Sequence, residues 1–74
     1  MDFPAIDVAG TGQNIKEMMR SHGLSAMDVA LCLGIVEKSS VYKWLRGEAL
    51  PSIDNLLALS MIMEVTINDI LVTV

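Results

Sequence analysis

LSAMDVALCLGIVEKSSVYKWLRGEALPSIDN, residues 24–55, carries the pattern that decides the fold. Ser25 followed three residues later by Asp28 is a capping box with aspartate in place of the usual Glu or Gln. It predicts a helix that buries Val29, Ala30 and Leu33, with Ala30 small enough to let another helix approach. Gly34 stops that helix, Ile35 to Lys38 form a turn, and a further helix runs to Gly47, a left-handed C′ position. On a helical wheel begun near Lys38, Val41, Trp44 and Leu45 fall within an arc of about 100°, opposite Ser39, Tyr42, Lys43 and Arg46. One face packs and the other is offered.

The offered face presents a hydroxyl, a phenol, an ammonium and a guanidinium, donors suited to phosphate oxygens and to acceptors on base edges in the major groove. A duplex fits this chemistry better than a metabolite. Lys43 would project into the groove, and Arg46 would grip phosphate or a guanine edge. Lys38 would hold phosphate at the turn, and Tyr42 would stack on sugar or meet a thymine methyl. Ser39 and Ser40, near the helix N-terminus, either cap it or bond phosphate and bases beside free backbone N–H groups. The plainer alternative for all six is a solvated cationic face. Trp44, the single indole, belongs to the core.

Charge argues in the opposite direction. Nine acidic against five basic side chains give a net charge of −4, which repels phosphate at long range. Three cations and no carboxylate between Lys38 and Arg46, with Lys16 and Arg20 on the first helix, make the local sign positive.

With 74 residues the chain has room for one small domain, and 53% hydrophobic but 4% aromatic content specifies an aliphatic, methionine-rich interior. No apolar run reaches the roughly 18 residues needed to span a bilayer. Cys32 is alone, and the N-terminus lacks a basic segment followed by an apolar one, so a cytoplasmic setting is expected. One His and one Cys cannot build a zinc site, so no metal is expected, and His22 is read as a helix C-cap. Cys32 faces outward without a thiolate-stabilising partner and is read as inert. No nucleophile-base pair, phosphate loop or paired carboxylates stand at recognisable spacing, so neither an enzyme nor a bound cofactor or small-molecule substrate is expected.

Residues 1–10 hold Pro4, Gly10 and scattered apolar residues without helical period, and read as an N-terminal arm; residues 11–74 read as the domain. Helix 1 is expected after Thr11 as N-cap and before Gly23, with Ile15, Met18 and Met19 inward. Pro51 and Ser52 open a fourth helix whose core row is Ile53, Leu56, Leu57, Ser60 and Met63. Ala58, Met61 and Ile62 then lie on its outer face, which suggests a dimer contact. Thr66 and Asp69 repeat the capping pattern before a short fifth helix with Ile67, Ile70 and Leu71, and the apolar end at residues 72–74 is another candidate contact.

The segments GLS at 23–25, VALCLG at 29–34, VYKWLRG at 41–47, LPS at 50–52 and VTINDIL at 65–71 resemble the Cro and lambda-repressor type of helix-turn-helix, the xenobiotic-response-element (XRE) family. The resemblance covers about residues 11–71 and is to its small bacterial branch. It implies an all-α, compact five-helix lambda-repressor-like bundle with the helix-turn-helix at helices 2 and 3. It also implies a sequence-specific transcriptional regulator, here read as a repressor, that binds double-stranded DNA as a homodimer. Three positions depart from the family pattern: Ala26 replaces a phosphate-binding glutamine, Ser39 a base-reading glutamine, and Glu64 the glycine that ends helix 4. One extra residue between Gly34 and Val41 shifts the register of residues 36–39. The rival reading is a protein-interaction module of antitoxin or antirepressor type, with weak DNA binding and a protein partner on Met61 and Ile62.

Overall fold

The computed structural model describes residues 3–35 and 37–74. Five helices run in order: α1 Val8–Ser21, α2 Ala26–Leu33, α3 Ser39–Leu45, α4 Ile53–Ile62 and α5 Ile67–Ile70. Val36, within the expected turn, and the first two residues of the expected arm lie outside the described residues.

Local signals set most helix ends. Ser25 Oγ accepts from Asp28 N at 3.1 Å while Ser25 N donates to Asp28 Oδ2 at 2.8 Å, completing the expected capping box. Thr66 and Asp69 repeat it on α5, and Ser52 caps α4 through Asn55 N. At the other ends a common hydrogen-bond pattern recurs, in which the N–H directly after a left-handed residue reaches back five residues: Leu24 to Met19, Ile35 to Ala30, Glu48 to Lys43 and Val65 to Ser60. Gly23, Gly34 and Gly47 take the left-handed position in three of these; in the fourth it is Glu64, at φ 55°. His22 is the C-cap of α1, its Nδ1 2.9 Å from Met18 O.

The start of α1 corrects the expectation. The helix begins at Val8, with Asp7 as cap and its carboxylate accepting from Gly10 N at 2.9 Å. Thr11 is fully buried: its Oγ1 accepts from Val72 N at 2.9 Å. The arm is tied to the other end of the chain, because Ile6 pairs antiparallel with Thr73, Asp7 N donates to Val72 O, and Val74 N donates to Ala5 O. Backbone groups supply these bonds, which side-chain periodicity cannot register.

The core comprises Ile15 and Met19 of α1, Val29 and Ala30 of α2, Val41 and Trp44 of α3, Leu56 and Leu59 of α4, Met63 and Ile70, with Ala26 at its edge. Burying each large aliphatic side chain contributes about 1.5–3 kcal/mol. Helix α4 is rotated from its expected setting: Leu59 is fully buried, while Ile53 and Leu57, assigned to the core row, are 76% and 52% exposed. A helix with apolar residues on nearly every side gives no unique inward arc, so packing chooses it.

Helix α1 makes its most extensive packing against α3. The contact is close because Gly12 faces the α3 backbone; a Cβ there would stand 2.1 Å from Trp44 O. Gly47 faces Ala9 in the same way, where a Cβ would lie 2.8 Å from Ala9 Cα. Asn14 joins α1 to α5, donating to Asp69 O and Ile70 O at 2.8 and 3.0 Å.

Candidate nucleic-acid interface

Helix α3 is held from behind by Val41, fully buried, and Trp44, 4% exposed, both seated in the core. Fixing these two residues fixes where their neighbours point, since residues one or two positions away emerge on other faces. Tyr42, Lys43 and Arg46 are accordingly exposed, and so are Lys38 and Ser39. The structure therefore brings five of the six sequence-selected residues to the surface of one short helix and its approach. Ser40 is half-buried.

The N-terminal end of α3 differs from the capping arrangement considered for the serines. Lys38 occupies the cap position with no side-chain bond, Ser40 N donates to Glu37 O at 3.2 Å, and Ser39 Oγ donates to Glu37 Oε2 at 3.4 Å. Lys38 and Ser39 also border an open, mostly apolar groove of about 450 Å³ with Met27, Leu31 and Ile35. Lys43 and Arg46, away from that groove, form the more polar part of the surface.

Sequence reasoning passed over Glu48. The turn after α3 carries its backbone back to Lys43 O, and its carboxylate accepts a hydrogen bond from Arg46 Nε. The Arg46 bond, aided by the charges of Arg46 and Lys43, holds the Glu48 carboxyl below the usual range; the same bond raises the Arg46 guanidinium. The signal was present in the sequence: a carboxylate two residues after Arg46, across a glycine that reverses the chain.

Of the dimer-face residues, Met61 is 72% exposed, whereas Ala58 and Ile62 are half-buried and Ile62 packs against the core. The exposed apolar row on α4 is Ile53, Leu57 and Met61, spaced four residues apart and so on one helix face. Cys32 is exposed, as its outward placement required. No cluster of three metal-ligating side chains occurs among the described residues, and none of their helices is long and apolar enough to cross a membrane.

Two helices joined by a turn, the second packed by its back and polar on its front, define a helix-turn-helix protein. The helix-turn-helix family model matches residues 15–70, and the chain belongs to that family as a DNA-binding transcriptional regulator of the XRE type. The crystal structure of the restriction-modification controller protein C.AhdI from Aeromonas hydrophila is similar, with a TM-score of 0.77 and 26% identity over 86% of this chain and 96% of that one. No curated protein matches the chain.

Proposed function

We propose that the chain is a sequence-specific repressor that reads double-stranded DNA with α3 in the major groove and acts as a homodimer in the cytoplasm. The observation that carries this reading is the division of α3 into a back made rigid by Val41 and Trp44 and a front bearing Tyr42, Lys43 and Arg46. Lys43 reaches base edges or phosphate, Arg46 a guanine edge or phosphate, and Tyr42 a sugar or thymine methyl; Lys38, Ser39 and Ser40 border the contact. Residues 11–74 supply the reading unit and residues 1–10 an arm, of which residues 5–7 pair with residues 72–74. The likeness to a restriction-modification controller supports a regulatory role for a protein of this size.

Pairing two copies through Ile53, Leu57 and Met61 would cover the exposed apolar row of α4. It would also set two α3 helices to read half-sites about 34 Å apart. Selection from a random duplex library, followed by salt titration of the enriched site, tests the reading. We expect an inverted repeat with affinity that falls steeply as salt rises. Lys43→Ala should weaken binding to that site and lower the salt slope by about one. Leu57→Glu should give a monomer and abolish tight operator binding. Ile62→Glu is a poorer probe of pairing, because Ile62 also packs on the core.

The second reading, a protein-interaction module of antitoxin or antirepressor type, is favoured by one observation: Arg46 is already engaged by Glu48 in a chain of net charge −4. No enrichment of any duplex at low salt, with Leu57→Glu abolishing capture of a protein partner, would establish it instead.

A further inference from the structure

Glu48 lies against the cationic front of α3 because the turn at Gly47 folds it there. Its N–H donates to Lys43 O at 2.9 Å, and its carboxylate pairs with Arg46, each side chain about half exposed. An exposed pair of this kind contributes little to stability, so the fold does not depend on it. Its effect on binding is another matter. Duplex DNA presents one negative charge per about 1.7 Å of axis, so any phosphate that Arg46 approaches also meets the Glu48 carboxylate. The Arg46 Nε–H is meanwhile occupied. Among the described residues no carboxylate bonds the Lys43 ammonium, which acts on Glu48 only through its charge.

We propose that Glu48 is a specificity-determining residue: by pairing with Arg46 it suppresses sequence-independent phosphate contact, so that tight binding requires the correct base edges. This rests on the DNA-reading role of α3 proposed above. A repressor gains from such a restraint, since operator occupancy depends on the ratio of specific to non-specific affinity across many competing sites. The acidic balance of the whole chain acts at long range in the same direction. Glu48 differs from that background in acting on one named cation.

Fluorescence anisotropy on a labelled duplex of arbitrary mixed sequence, across a salt series, tests the proposal with the full chain and its Glu48→Gln, Arg46→Ala, Glu48→Gln/Arg46→Ala and Lys43→Ala variants. Glu48→Gln should bind roughly tenfold tighter at low salt, with a salt slope steeper by about 0.9, the increment for one added phosphate contact. Adding Arg46→Ala should cancel that gain. Melting curves should be unchanged by Glu48→Gln, which separates binding from folding. Unaltered binding of Glu48→Gln overturns the proposal. A gain that persists in full in the double variant also overturns it, because Glu48 would then act only as general negative charge. If Glu48→Gln binds the arbitrary duplex no better than the wild type, the restraint fails, whereas the DNA reading fails only if the library selection enriches no duplex; if Lys43→Ala weakens binding while Glu48→Gln does nothing, only the restraint fails.

Discussion

Replacing Gly12 with alanine sets two effects of opposite sign against each other. Gly12 lies inside α1, where alanine is favoured over glycine by about 0.8–1 kcal/mol in an isolated helix. In the folded protein the added Cβ would stand 2.1 Å from Trp44 O and 3.3 Å from Gly47 N. Real Cβ atoms essentially never come nearer than 3.0 Å, so α1 and α3 must part locally by about 1 Å. The obstacle is backbone, held in the turn that ends α3, and no side-chain rotation relieves it. A gap of that size forfeits a quarter to a half of the dispersion energy of the contacts it opens, here beside Val41 and Trp44. Overpacking of this kind costs about 1–3 kcal/mol or more, and with part offset by helix propensity we expect a net loss of about 2 kcal/mol. In a domain this small that lowers Tm by roughly 10 °C. Urea unfolding followed by Trp44 fluorescence, with thermal unfolding by circular dichroism, measures both quantities. A Gly12→Ala variant as stable as the wild type, or more so, would refute the close α1–α3 approach, because only the helix-propensity gain would then be operating.

Glu64→Gly relieves a left-handed residue that glycine adopts freely; we expect a gain of about 0.5–1 kcal/mol in urea unfolding, and an unchanged midpoint would mean that φ 55° carries no strain there. Thr11→Val removes the hydroxyl that receives Val72 N–H, so stability should fall by about 1–2 kcal/mol and the Val72 amide should exchange faster with solvent. Unchanged exchange at Val72 would place the anchor of the chain end elsewhere. Asp28 and Asp69 are held below the ordinary aspartate range by the backbone N–H and then the side chain of Ser25 and Thr66 respectively. Because the folded-state values are the lower ones, this stabilisation is complete above the unfolded-state range and is lost as pH falls through the folded values. Asp28→Asn combined with Asp69→Asn should therefore flatten the acid limb of the stability curve. An acid limb as steep as the wild type's would assign acid sensitivity to other carboxylates.

The capping boxes at Ser25 and Thr66, the stop at Gly34 and the reversal at Gly47 were legible because each depends on residues within one turn of one another. The inward placing of Val41 and Trp44 was legible for a related reason: a short helix with a clear apolar arc has one way to pack. Thr11 was misread as a cap because the hydroxyl that suits that role also suits a buried backbone contact 61 residues away in sequence. Ile53 and Leu57 were placed inside because α4 is apolar nearly all round, and the choice among its faces belongs to its neighbours. Glu48 was overlooked because its importance lies in where a turn sends it.

Capping, turn residues and apolar spacing act over a few residues, and they are enough to specify a bundle of short helices with a two-faced third helix. Tertiary packing settles which face of α4 stays exposed and that residues 5–7 pair with residues 72–74. Those features depend on bonds and contacts between segments that local pattern cannot bring together, and on a glycine at position 12 whose role appears only when the α3 backbone lies against it.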